Sequence, residues 1–326
     1  MIVKIALSAR ALLRRAVWGR NRDRIRATWR ILFGFGVVLG VLLGGRRLLG
    51  RVDFPDVLVN GPVALLVCVA VGAYALAASL IPGERPIREY GFSFDRRWAL
   101  DALAAVVAGC VFQALVTGML LASGSGRVVE TFAPGAASGG GPVAVAIAVA
   151  ATAVAFAAIG LWEEPLFRGV FIVNASEGLA ARGLEPRRAV WATVGASALA
   201  FGPAHALVAA QGASPLFAAV QATAAAVYFA VAYVFTGSLA FPVGLHFATN
   251  VWVVSVFGQA GSGFPALVRL ERSVGAGPID LLSLVIQSLV LLGLIVAWVL
   301  ATRGQVSTDE SLRDAIERRR GSAAAE

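Results

Sequence analysis

Charge is scarce in this chain. Only 14% of its 326 residues are Asp, Glu, Lys or Arg, where soluble domains usually carry about 25%. No long polar run is present that would mark a separate soluble domain. Histidine occurs twice, and cysteine twice. Cys68 and Cys110 both lie inside apolar runs without the spacing of a metal site, so they read as small buried hydrophobes. The H-E-x-x-H spacing of a helical zinc site is absent, and so is any solenoid-type repeat. The net charge is +9, but long apolar runs interrupt the basic residues before they can form one basic face. That pattern excludes a nucleic-acid partner and reads as a topology signal.

What is abundant is apolar sequence, 58% of the chain with a mean hydropathy of +0.79. A bilayer crossing takes roughly 20 apolar residues. Runs of that kind fall at about 29–49, 58–82, 99–122, 142–173, 189–210, 217–236, 238–257 and 280–301. The fold expected is all-α, a polytopic membrane protein of about eight transmembrane helices around a polar intramembrane pocket. Its organisation divides into a basic arm (1–30), a transmembrane domain (31–301) and a polar tail (302–326).

With eight crossings both termini share a side. That side collects 21 of the 28 Lys and Arg, against six opposite and one, Arg168, inside a span. The excess places both termini in the cytoplasm. The arm holds nine basic residues and one acid, which suits anionic headgroups as well as a plain topology anchor. The Gly- and Ser-rich loop 123–141 is expected to be flexible. In the tail a short helix is expected around Asp309–Arg320, with a solvated face. The glycosylation-like triplet Asn174-Ala175-Ser176 falls on the cytoplasmic side and is discounted.

One stretch breaks the apolar pattern. Leu161–Phe171 reads L-W-E-E-P-L-F-R-G-V-F and ends a run from Pro142 that otherwise has no charge. Ionisable groups at membrane depth are costly, and they mark a partner or a task. Residues four apart on a helix share a face, so Glu164 and Arg168 pair, while Glu163 points about 100° away. Both histidines, His205 (F-G-P-A-H) and His246 (H-F-A-T-N), also lie within apolar spans, and His246 shares a face with Asn250. Pro165, Pro203 and Pro242 stand beside the three polar motifs, where each frees a backbone carbonyl or marks a helix break. Broken backbone at that depth belongs where it lines a wet cavity.

Such a pocket has a defined chemistry. A carboxylate and an imidazole around one water can take its proton, while a second imidazole and an amide can donate to a developing oxyanion. Glu163, His205, His246 and Asn250 supply that set, with Glu164 and Arg168 in support. Two histidines and a glutamate are also a zinc ligand set with one open position, so Glu163, His205 and His246 are the candidate metal ligands. A proton-coupled transporter or a non-catalytic immunity or scaffold protein are the alternatives from other classes.

E-E-P-L-F-R, F-G-P-A-H and H-F-A-T-N resemble, in order, the EExxxR, FxxxH and HxxxN motifs of the CPBP (CAAX protease and bacteriocin-processing, Abi) intramembrane proteases. The resemblance covers about residues 142–258. It implies an eight-helix fold that cleaves a peptide bond of a membrane-associated peptide or protein, as the type II CAAX prenyl proteases do. By resemblance, Glu163 and His205 activate water, His246 and Asn250 face the oxyanion, and Glu164 with Arg168 support them. Zinc use is described both ways in the family. One departure is Pro165, at a position commonly leucine, which points to a broken helix beside the glutamates.

Overall fold

The structure is a computed structural model that describes residues 16–18, 25–49, 56–80, 85–135, 141–207, 214–272, 278–314 and 316–317. Most of the basic arm expected over 1–30 lies outside the described residues. Helices dominate, and the described part of each apolar run is mainly helical. The order is α1 (Ala27–Leu49), α2 (Asp56–Leu80), α3 (Arg96–Ala122), β1 (Gly126–Ala133), α4 (Pro142–Glu164), α5 (Val173–Ala180), α6 (Pro186–Ala206), α7 (Pro215–Thr236), α8 (Ala240–Val251), β2 (Phe257–Gln259), β3 (Ala266–Arg272) and α9 (Pro278–Arg303). Two π-helical segments, Pro165–Ile172 and Trp252–Val256, follow α4 and α8 without leaving helical geometry.

Among the described residues five helices are long and apolar enough to cross a membrane: Ala27–Leu48, Arg96–Ala122, Pro142–Ala180, Pro215–Thr236 and Leu281–Arg303. Pro62–Ala77 and Ala240–Val256 are shorter apolar helices. The protein is therefore an integral membrane protein of all-α character. α6 is too polar to count by this measure, because it carries Arg187, Arg188, Thr193, Ser197 and His205.

Two expectations need correction. The loop 123–141 is not irregular throughout, since Gly126–Ala133 forms β1 and pairs antiparallel with β3, which pairs parallel with β2. The strand is V-V-E-T-F at its centre, β-branched and aromatic residues that favour a pleated surface. The Gly and Ser on either side masked it. The tail is not solvated on all faces either. Leu312 and Ile316 share a helical face and are both buried, and the Asp309 amide donates to the Val234 carbonyl at 2.8 Å. This docks the tail beneath the turn between α7 and α8. Asn174 is fully buried and donates to the Val170 carbonyl at 2.8 Å, which leaves no acceptor for a glycan there.

Among the described residues the core consists of three apolar clusters. One surrounds Val170, Ile172, Leu239 and the tail, a second holds Leu166, Phe167 and Phe201, and a third packs Phe229, Phe241 and Leu245 against α9. The π segment after α4 contributes to the first two and α8 to the first and third. The polar motifs therefore sit where the clusters meet.

Candidate active site

Local sequence explains how each wall is built. Pro165 has no amide to donate back along the helix, and its ring crowds the preceding turn. The chain answers by widening into a π segment over Pro165–Ile172, a form often found at functional sites. The break expected at Pro165 is thus a change of helical pitch. α6 begins on a Glu185 cap, whose carboxylate accepts from the Arg187 and Arg188 amides at 2.9 Å, with Pro186 at its first position. Pro203 lies inside this helix without ending it, which delivers His205 to its last turn. α7 stops at Gly237, left-handed with φ 64°, and α8 starts three residues later. Pro242 falls in the first turn of α8, where a missing amide costs little.

Close approach of the walls depends on glycine. A Cβ on Gly160 would lie 3.3 Å from the Val243 carbonyl oxygen and 3.9 Å from the His246 Cβ. On Gly202 it would overlap Thr223 and stand 2.7 Å from the Ala219 carbonyl. α4 can therefore touch α8, and α6 can touch α7.

These contacts bring the sequence-predicted residues together. Glu164 and Arg168 are fully buried and Glu163 and His246 nearly so, while His205 remains about one-third exposed (36%). Glu164 Oε2 lies 3.1 Å from Arg168 Nε, and its Oε1 lies 2.7 Å from His246 Nδ1. Glu163 Oε2 faces His246 Nε2 at 3.9 Å and His205 Nε2 at 4.0 Å. That oxygen is buried and has no direct hydrogen-bond partner among the described residues. His205 Nδ1 is 3.0 Å from the Phe201 carbonyl. Asn250 is half-buried one turn beyond His246, without a side-chain hydrogen bond to any described residue.

Proton positions follow from the partners. A carbonyl, or a carboxylate paired with guanidinium, can only accept, so both histidines carry a proton on Nδ1. In their neutral forms both present the Nε2 lone pair to Glu163. Three acceptor atoms thus converge with nothing shared directly between them. One guanidinium also faces two carboxylates, so neutrality requires one further proton held among Glu163, His205 and His246.

The same atoms test the metal reading. A tetrahedral zinc about 2.0–2.1 Å from its ligands sets them roughly 3.3 Å apart. The separations here are 3.9 and 4.0 Å, and among the described residues no group of three His, Cys, Asp or Glu is arranged to hold a metal. The donors are the right kind at the wrong spacing, and no step below is routed through a metal.

Sequence reasoning missed the contribution of α7, which carries none of the motifs. Its Ala226 carbonyl accepts from Arg168 at 3.2 Å. Phe229 stacks on the His246 ring at 5.0 Å and 15°, and Arg168 lies over the faces of Phe201 and Phe229 at 4.9 and 5.4 Å. No sequence signal distinguishes these residues from the apolar background of a spanning helix.

Residues 144–252 match the family model described as type II CAAX prenyl endopeptidase Rce1-like. This is the family group expected from the three motifs, and the matched region contains all six residues named for the site. That description names an endopeptidase. No curated protein and no solved structure matches the chain.

Proposed function

We propose that the protein is an intramembrane endopeptidase that hydrolyses a peptide bond of a membrane-associated substrate with water activated by Glu163 and His205. The observation that carries this reading is the buried Glu163 Oε2 atom, unpartnered and flanked by two imidazole nitrogens at about 4 Å. A gap of that width suits one bridging water better than direct contact.

Glu163 takes a proton from the water as its oxygen attacks the carbonyl carbon, aided by the His205 Nε2 lone pair. His246 can donate from Nε2 once it has accepted a proton, and Glu164, held by Arg168, then stabilises the imidazolium through Nδ1–H. That donor and the Asn250 amide face the developing oxyanion. The proton on Glu163 passes to the leaving amine as the C–N bond breaks. The positive-inside bias orients both termini to the cytoplasm, and the chain's partners are the bilayer and a peptide or protein lying in or on it.

The test compares the membrane proteomes of cells carrying the intact chain, Glu163→Ala and His205→Ala. The reading expects a set of new protein termini that depend on both side chains, with each variant accumulating as folded protein. Termini that are unchanged in both variants would sink it. Uptake that responds to the proton gradient, with no peptide product, would favour a transporter instead.

A further inference from the structure

We infer that Phe229, on the one wall of the pocket without a motif, is a positioning residue that holds the His246 ring so that its Nε2 faces Glu163. The inference rests on the endopeptidase reading for its catalytic consequence but not for its geometry. Among the described residues the one hydrogen bond to the His246 ring is that from Nδ1 to Glu164, at 2.7 Å. The ring is bonded to its backbone through Cβ–Cγ, and a single hydrogen bond, soft in angle, opposes rocking about that bond only weakly. Nε2 sits on the far side of the ring, and rocking moves it off the line to Glu163.

The plane is set by flat contact. Phe229 is 2% exposed and lies nearly parallel to the imidazole, 15° between planes with 5.0 Å between centroids. Phe201 meets the same ring on edge at 6.4 Å and 74°. Stacked and edge-on rings at these distances are favoured arrangements of aromatic systems. The Phe229 ring also lies under the Arg168 guanidinium, which fixes Glu164 and hence that hydrogen bond. One side chain therefore acts on both the anchor and the plane of His246. The charged groups facing His246 are Glu163 and Glu164 from α4, with Arg168 one turn on; of these Glu164 holds the ring at one edge, and none of them covers its face.

A purely structural role makes a different forecast, because Phe229 shares its apolar cluster with Phe112, which is also buried. Phe112 touches neither histidine by any ring contact described. Replacing either with leucine removes a ring from the same core, so a structural role predicts equal effects.

The chain has only two histidines, so full-length protein labelled with 15N-histidine in lipid nanodiscs gives one ring signal set for each. His246 is expected as a single Nδ1-protonated form in the intact chain. Phe229→Leu should keep the Nδ1–H form but broaden the His246 Nε2 signal or split it between ring orientations and leave His205 unchanged, whereas Phe112→Leu changes neither ring. Turnover at the termini that depend on Glu163 should fall about tenfold or more in Phe229→Leu, as expected for a slightly misplaced group, and recover in Phe229→Tyr. If the leucine variant does not fold, Phe229→Met carries the same comparison. A single sharp His246 Nε2 signal, as in the intact chain, in Phe229→Leu or Phe229→Met overturns the inference, and so does an equal response to Phe112→Leu. If no termini depend on Glu163, the endopeptidase reading fails while the ring spectra still decide the positioning role.

Discussion

Two buried ionic clusters in this molecule use the same residue types for opposite ends. Beside the start of α1, Arg85 is fully buried and pairs with Glu89 at 3.0 Å and with Glu177 at 2.7 Å, while Arg30 reaches Glu177 at 3.0 Å. Among the described residues two guanidiniums meet two carboxylates at contact distance. At the pocket, one guanidinium meets two carboxylates and two imidazoles, and Glu163 is held about 4 Å from its neighbours. The first cluster is closed and the second is left one proton and one partner short. Burying an unbalanced carboxylate is costly, so a fold that keeps one is using it.

The sharpest way to break that comparison is to neutralise one carboxylate in each cluster. Glu163→Gln should lower turnover by about a thousandfold, within the range for loss of a general base, with little change in thermal unfolding. Glu177→Gln should do the reverse, costing about 3 kcal/mol of stability through the Arg85 charge left short of a partner. Thermal unfolding in detergent, read beside cleavage of the termini that depend on Glu163, separates the two. Equal stability losses would show that both clusters are merely structural. Arg168→Leu should combine both effects, because Glu164 then lies buried without its guanidinium. A loss of about 3–5 kcal/mol is expected, together with loss of cleavage.

Gly160→Ala tests the spacing of the open cluster with a smaller perturbation. The added methyl would crowd the Val243 carbonyl and push α8 from α4, at about 1–3 kcal/mol for overpacking. Because His246 rides on α8, turnover should fall further than stability alone explains. A variant that loses stability but keeps its rate per folded molecule would mean that the 4 Å separations are not tuned.

The open cluster was the legible one. Glu163, Glu164, Arg168 and both histidines stand out because charge in an apolar run is rare, and the place of most of the helices follows from hydropathy. The closed cluster was not legible, since Arg30, the Arg85–Glu89 pair and Glu177 come from three separate stretches near helix ends, where charge is ordinary. Phe229 was hidden for the opposite reason, as one aromatic in an apolar helix. β1 was hidden by its glycine-rich flanks, and the docking of Leu312 and Ile316 by the charges around them. Composition betrays a residue only when it differs from its neighbours, and pairing across the fold leaves no such mark.

The smallest effect belongs to a third kind of carboxylate, exposed and outside the bilayer-crossing segments. Glu185 caps α6, and the Arg187 and Arg188 amides, with a lesser contribution from their side-chain charges, hold its carboxyl below the ordinary range. Asp95 does the same for α3, chiefly through the Trp98 amide. A depressed folded value means that the stabilisation is fully present above the unfolded value, about 4.3 for glutamate, and is lost as pH falls through the folded one. Glu185→Gln removes that dependence. The stability difference between the intact chain and this variant should therefore be constant from pH 7 to about pH 5 and shrink on acidification below the ordinary glutamate range. Unfolding midpoints in detergent across that series measure it. A difference that persists unchanged into acid would mean that the cap acts by shape alone, and that Glu163 is where carboxylate charge matters in this chain.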